Sequence, residues 1–258
     1  MNSKIWKIVL AISLVVMVIS GINIIRLSRE YQKGINEYAQ LEQYVSIQEE
    51  TEGEGTEVEG EKKDSKIPVS IEVDLEKLLA INEDFTGWLY YEPLKINYPV
   101  VRGNDNDYYT HYTFENEKNN SGAIFMDFLN KPDFSNYNTI IYGHNMRNGT
   151  MFGSLKKLLS DDTILEENPY FYIFTEDKVY MYEIFAVYIT NANSQTYDLI
   201  DDEETQEDYL TYISETASWL SEKEVTAQDK IVTLSTCHGL HSNNRTVVHG
   251  VLIACEDR

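Results

Sequence analysis

The chain is poor in cations. Its 258 residues carry 21 Lys and Arg against 43 Asp and Glu, a formal net charge of -22. Nucleic acids and anionic membrane surfaces are recognised by clustered Lys and Arg, so neither is a main partner. Cysteine is nearly absent. Two thiols, Cys237 and Cys255, cannot form a structural zinc set, and neither Cys-x-x-Cys nor His-x-x-x-His occurs. His238 and His241 make one short pair, a weak metal signal. Asn104-Asp105-Asn106-Asp107 resembles part of a calcium loop, but the spaced Gly and closing Glu do not fit, and it reads as a solvated turn. A phosphate-binding Gly-rich loop and an internal repeat are also lacking. No metal or cofactor is implied.

What is present begins with a long apolar run. Residues 5–25 are almost wholly hydrophobic, and about 20 such residues span a bilayer. The alternative is a cleaved signal peptide, but the run is long for one and no small-x-small site clearly follows. The expectation is an uncleaved signal anchor, single-pass in the cell membrane, with the following domain extracellular. In residues 26–45, Leu27, Tyr31, Ile35, Tyr38, Leu41 and Val45 recur three or four apart, which predicts an amphipathic helical stalk. Gly34 interrupts that pattern. The stripe suits a stalk continuing the membrane helix or a helix docked on the folded domain, and the sequence does not choose. Residues 46–66 hold almost no large apolar side chains and predict an acidic flexible linker, a tether giving reach. The folded domain is expected over 67–258.

That domain reads as mainly β. Hydrophobic content of 42% and 19 tyrosines suffice for a core, and Tyr-rich, β-branched segments favour strands. Strands are predicted over 87–91, 96–101, 122–126, 139–142, 171–174, 179–189, 230–236 and 246–254. Asp74 to Ile81 reads as a short helix capped by Asp74. Further helices are predicted over 152–159 and 203–222, the latter with Tyr209, Tyr212, Ile213, Ala217 and Leu220 on a rough apolar stripe. Many short strands with few helices suggest a closed β-barrel.

Cys237 ends the apolar run Ile231-Val-Thr-Leu-Ser-Thr-Cys237, where a strand yields to a polar loop, and Arg245 opens the next run. A buried packing cysteine is the competing reading. If the two runs form an antiparallel hairpin with Cys237 facing Arg245, the guanidinium shares the thiol's face. There it favours the nucleophilic thiolate and donates to a developing oxyanion. Cys255 then lies roughly 30 Å away at about 3.3 Å per residue, too far for a disulfide. Five histidines compete for the acid/base role. His144, in the turn-like Gly143-His144-Asn145, is preferred over His238, whose side chain points to the opposite face from Cys237, and over His241, His249 and His111. Together, Cys237, His144 and Arg245 point to acyl transfer.

At these residues the chain resembles the sortases, class B. The likeness rests on Thr233-Leu-Ser-Thr-Cys237, Tyr142-Gly-His144, Arg245 before Thr-Val-Val, Tyr98-Pro-Val-Val101, Gly122-Ala-Ile-Phe-Met-Asp127 and Met151-Phe. It covers nearly all of 70–255. It implies an eight-stranded sortase-type β-barrel with peripheral helices, the 203–222 segment resembling the extra helix of class B. It also implies a cysteine transpeptidase that cleaves a C-terminal sorting signal of exported proteins. Cys237 would form a thioacyl-enzyme at the signal's threonine, and an amine of peptidoglycan or its precursor would resolve it. His144 would be the acid/base and Arg245 the oxyanion or substrate-backbone ligand, while Ser235 and Tyr197 match substrate-contact regions. No Asp third member is identified. The competing readings are an L,D-transpeptidase-like enzyme, whose Ser-His-Gly-Cys-x-Arg order is absent, and a non-catalytic membrane-tethered binding module.

Overall fold

The computed structural model describes residues 3–49, 67–198, 200, 203–239 and 243–258. In chain order the elements are α1 (Ser3–Leu41), β1 (Val45–Glu49), β2 (Val69–Val73), α2 (Leu75–Ile81), β3 (Phe85–Tyr91), β4 (Ile96–Val101), α3 (Tyr108–His111), β5 (Ile124–Met126) and β6 (Asn138–Tyr142). They continue with α4 (Asp162–Glu167), β7 (Tyr170–Phe174), β8 (Lys178–Asn191), α5 (Glu203–Thr216), β9 (Trp219–Leu220), β10 (Ile231–Cys237) and β11 (Asn244–Asp257).

Eight strands close into a barrel in the order β11-β10-β6-β5-β4-β3-β7-β8, with β8 returning to pair β11. Closure follows from the two 14-residue strands β8 and β11. They pair antiparallel from Asn191↔Asn244 to Lys178↔Asp257, with register shifts at His249/Gly250 and Leu252/Ala254. Such irregularities bend and twist a strand enough to close a sheet. Gly250 is required at the first, since a Cβ there would lie 2.4 Å from the Phe171 ring. Closure removes exposed sheet edges.

Period-two alternation sorts β10 between two cores. Val232 and Leu234 join Trp88, Ile173, Phe174 and Val248 inside the barrel. Ile231 instead joins Tyr188, Tyr209, Ile213 and Val247 beneath α5. Ser235 and Cys237, an even number of residues from Ile231, share that outer face.

Several boundaries differ from expectation for local reasons. Asp74 does cap α2, its side chain accepting from the Lys77 amide at 3.2 Å. The segment predicted as a helix over 152–159 is helical only as a 3-10 turn, Leu155–Leu159, preceded by a turn whose Phe152 amide donates to the His144 carbonyl at 3.0 Å. The helix expected to reach 222 stops at Thr216. Ser218 and Ser221 donate to the Val187 and Phe185 carbonyls, and β8 captures the chain as the two-residue β9.

In the N-terminal region the later part of the stripe on residues 26–45 is docked on the folded domain. α1 is unbroken from the apolar run to Leu41, and its far end is docked: Tyr38 and Leu41 are buried in the main core. Glu37 accepts the Glu115 amide at 3.0 Å, and the Glu30 carbonyl accepts from Asn119 at 2.9 Å. Gly34 now has a reason. A Cβ there would come within 2.8 Å of Ser121 Oγ, so the missing side chain permits the close approach. Residues 46–49, expected in the linker, lie in β1, which pairs antiparallel with β2 from Val45↔Val73 to Glu49↔Val69. Val45 and Ile47, alternating and β-branched, suit a strand despite the polar residues that follow. The rest of the expected linker, 50–66, lies outside the described residues.

Candidate active site

Two pairings assemble the site. In the β10–β11 hairpin, Cys237 and Arg245 are Cα partners, so their side chains leave the same face at neighbouring positions. In the parallel β10–β6 pairing, Ser235 is partner to Tyr142. The same direction carries on past β6. The Gly143 amide donates to the Ser235 carbonyl at 3.2 Å, Thr236 Oγ1 donates to the Gly143 carbonyl at 2.7 Å, and Asn145 Nδ2 donates to the Cys237 carbonyl at 2.7 Å. His144 is thereby held beside the cysteine end of β10. Gly143 must be glycine for this, because a Cβ would strike Ile124 at 2.5 Å and the Phe152 ring at 2.8 Å.

Cys237, His144 and Arg245 line one pocket of 260 Å³ with Asn106, Thr110 and Phe125, floored by Tyr142, Gly143, Ser235 and Thr236. All three side chains are half-buried. His144 Nε2 lies 2.7 Å from the Thr110 carbonyl oxygen. A carbonyl only accepts, so Nε2 carries the hydrogen and Nδ1 is the basic nitrogen of the neutral ring. The ring is thus oriented by a backbone carbonyl, the part a carboxylate plays in other nucleophile–histidine systems. The Asp127 carboxylate, behind the pocket wall, is engaged by Tyr142 Oη at 3.0 Å and Asn106 Nδ2 at 2.8 Å.

Of the two expected substrate contacts, Ser235 lines this pocket, whereas Tyr197 is outside its lining and reaches it through Ser235. Their hydroxyls are 2.7 Å apart, and the Tyr197 ring stacks on Tyr142 at 6.2 Å. Burial pushes the Tyr197 hydroxyl up to about 12, so it stays a neutral donor. Burial also raises Tyr142, which lies against Asp127.

The other histidines are elsewhere. His249 is wholly buried between Tyr188 Oη at 2.7 Å and Thr233 Oγ1 at 2.9 Å. His238 is turned to Thr246 Oγ1 at 2.9 Å, and His111 is exposed near Asp107. His241 lies outside the described residues. Both cysteines are free. Cys255 lines a larger groove of 640 Å³ with Lys178, Lys230 and Tyr180, which holds no histidine to serve as acid/base. The Asp105 carboxylate, in the calcium-like stretch, accepts the Asp107 and Tyr108 amides at 2.8 Å each, the bonding of a turn that opens α3.

Sequence reasoning missed Thr110, Asn145 and Asn106. Thr110 acts through its carbonyl, which every residue type has, so no side-chain signal marks it. Asn145 was visible as the neighbour of His144, but its bond to Cys237 depends on the parallel pairing.

A family model described as the sortase domain matches residues 89–253. Sortase B of Listeria monocytogenes is 38% identical over 201 residues, covering 77% of this chain and 78% of that protein. Sortase B of Staphylococcus aureus is 33% identical over 181 residues, covering 69% and 73%. A crystal structure of sortase B from B. anthracis is similar with a TM-score of 0.71 and 31% identity, covering 87% of this chain and 98% of that one. The structure of the Staphylococcus aureus sortase B–substrate complex is similar with a TM-score of 0.64 and 31% identity, covering 69% and 83%. Likeness of this extent, running through the barrel and most of each relative's length, shows that the chain belongs to the sortase family, class B, and is a cysteine transpeptidase.

Proposed function

We propose that this transpeptidase cleaves a C-terminal sorting signal of exported proteins and joins the new threonine carboxyl end to an amine of peptidoglycan or its precursor. The observation that carries the reading is the single pocket shared by Cys237, His144 and Arg245.

The Cys237 thiol passes its proton to His144 Nδ1, and the resulting thiolate attacks the threonine carbonyl carbon. The carbonyl oxygen becomes an oxyanion beside the Arg245 guanidinium, whose fixed N–H fork suits such a charge. Collapse breaks the C–N bond, and His144 supplies the proton to the departing amine. A thioester to Cys237 remains. The acceptor amine then attacks the same carbon and gives a proton to His144. Collapse of this second adduct forms the new amide and expels Cys237 as thiolate, to which His144 returns the proton, so both bond and proton counts return to their start. Ser235 and Tyr197, as a pair of neutral hydroxyls, orient the bound peptide.

Residues 6–44 include a helix long and apolar enough to cross a membrane, by length and composition. In this reading it is the single-pass anchor, with the N-terminus inside and the barrel outside. Residues 26–41 continue it by roughly 24 Å at about 1.5 Å per residue, which sets the pocket near the membrane rather than on a loose tether. The test is mass spectrometry of Cys237 after incubation with sorting-signal peptides in the absence of an amine. A thioacyl adduct carrying the N-terminal part of one peptide is the expected result. A substrate turned over at the parent rate by Cys237→Ala would overturn the reading.

A further inference from the structure

We propose that Tyr38, on the helix continuing the apolar N-terminal segment, is a positioning residue for His144. The inference rests on the reading of His144 as acid/base, and extends the machinery into the membrane-proximal helix.

His144 sits in a cradle with two sides. One is the Thr110 carbonyl, 2.7 Å from Nε2. The other is Gly122, whose backbone runs at φ +55° against the ring. A Cβ on Gly122 would come within 3.0 Å of His144 Cδ2 and 2.5 Å of the Tyr109 carbonyl. The two sides are tied by the Ala123 amide donating to that same Tyr109 carbonyl at 2.9 Å. Tyr38 holds this cradle from behind. Its hydroxyl donates to the Gly122 carbonyl at 2.6 Å and accepts from the Phe114 amide at 3.3 Å. One phenol thus fixes both the chain at Phe114, three residues past the end of the helix that carries Thr110, and the glycine against the imidazole.

Tyr38 reaches the loop after His144 as well. Its ring meets Tyr98 edge to face at 5.4 Å, and Tyr98 Oη accepts the Met151 amide at 3.1 Å. Met151 pairs with Asn145, the residue that holds the Cys237 carbonyl. The two sides of the imidazole's cradle, Thr110 and Gly122, therefore lie close along the chain to groups that bond the Tyr38 side chain on α1. Small misplacements of a catalytic group cost up to about 100-fold in rate.

The experiment uses the full chain in detergent micelles, with histidine-ring ¹⁵N labelling. Tyr38→Phe keeps the ring packing on Tyr98 and removes only the hydroxyl. The expected result is a loss of kcat of about 10- to 100-fold with KM unchanged, together with a changed pattern of the two His144 ring-nitrogen signals as the Nε2–H form loses its fixed acceptor. Gly34→Ile, which would push α1 off Ser121 and Asn119, is expected to change the same signals. Lys33→Ala, also on α1, removes only an exposed ion pair to Glu117 and is expected to leave them as they are. His144 signals unchanged in both Tyr38→Phe and Gly34→Ile overturn the proposal. Changed signals in an enzyme that His144→Ala leaves fully active would keep the positioning and overturn the role assigned to His144.

Discussion

Cys237 and Arg245 are Cα partners at the open end of the β10–β11 hairpin. Cross-strand partners hold their side chains about 5 Å apart at Cβ, so the Arg245 side chain starts beside that of Cys237, and both line one pocket. The remaining register places Thr233 opposite His249 and Ile231 opposite Val251, so sliding the hairpin by one residue would move the cysteine off the pocket and the apolar residues off both cores. The Cys237–Arg245 pairing is therefore guarded by the packing of the whole hairpin.

Arg245→Ala is expected to lower kcat/KM by about 10²- to 10³-fold, the usual loss for one oxyanion donor, with little change in thermal midpoint because the side chain is half-buried at a strand end. Arg245→Lys is expected to recover only a small part, since a single ammonium cannot reproduce a planar fork. Steady-state rates on a sorting-signal peptide check this. Parent-like rates for Arg245→Ala would remove the residue from the mechanism.

His144→Ala is expected to abolish transfer while Cys237 still reacts with a small alkylating reagent, because the barrel positions the thiol through β10 without help from the imidazole. His241→Ala is expected to transfer normally. The checks are peptide turnover and alkylation followed by intact mass. A dead His241→Ala beside an active His144→Ala would reassign the acid/base.

The hairpin register was legible in the sequence, and so was a turn that brings His144 into the pocket of Cys237, because both follow from short-range rules. A strand ending in cysteine, a polar loop and a strand opening with arginine leave few ways to pair. A histidine after glycine in a turn is aimed by its backbone. What was not legible depends on distant pairing. The parallel β6–β10 contact joins residues nearly a hundred positions apart, and only it explains why Asn145 holds the Cys237 carbonyl. The stripe on residues 26–45 suited a free stalk and a docked helix equally, because burial of Tyr38 depends on a loop some 80 residues away. The low apolar content that suggested a linker over 46–66 carries no information about backbone pairing, and so β1 went unseen.

Gly143→Ala tests the close passage between β6 and the His144 loop. The added methyl meets Ile124 and Phe152 at 2.5 and 2.8 Å, neither of which has room to withdraw from the core. Overpacking of this kind costs about 1–3 kcal/mol. Chemical denaturation should show that loss, and turnover of the folded fraction should fall as His144 is displaced. A variant as stable and as active as the parent would show that the loop moves freely.

Ser235→Ala and Tyr197→Phe are expected to behave alike, since each removes one end of a single 2.7 Å hydroxyl pair. If the pair orients the bound peptide, each variant changes KM more than kcat, and the double variant is little worse than either single one. Non-additivity of that sort is the mark of residues acting as a unit. Two independent effects that simply add would mean that the hydroxyls serve separate purposes.

His249 ties the class B helix to the barrel and gives the protein a sensitivity to acid. Its two ring nitrogens meet Tyr188 and Thr233. Thr233 also donates to Asn138, which donates to Tyr209 on α5, which donates to the Thr196 carbonyl beside Tyr197. Burial lowers the His249 pKa from 6.5 to about 3, because the imidazolium would lose its hydration with no carboxylate in compensation. The folded value lies below the unfolded one. The stabilisation from keeping this ring neutral is therefore fully present above about pH 6.5 and is lost as pH falls from there towards 3, by at most about 1.4 kcal/mol per pH unit. His249→Gln keeps hydrogen-bonding capacity but cannot titrate. It is expected to be less stable than the parent at pH 7.5 and to lose less stability between pH 7.5 and 4.5, since the carboxylates titrate in both proteins and cancel in the difference. Urea midpoints across that range measure it. Parallel pH profiles for parent and variant would mean that the ring is protonated, or solvated, in the folded protein.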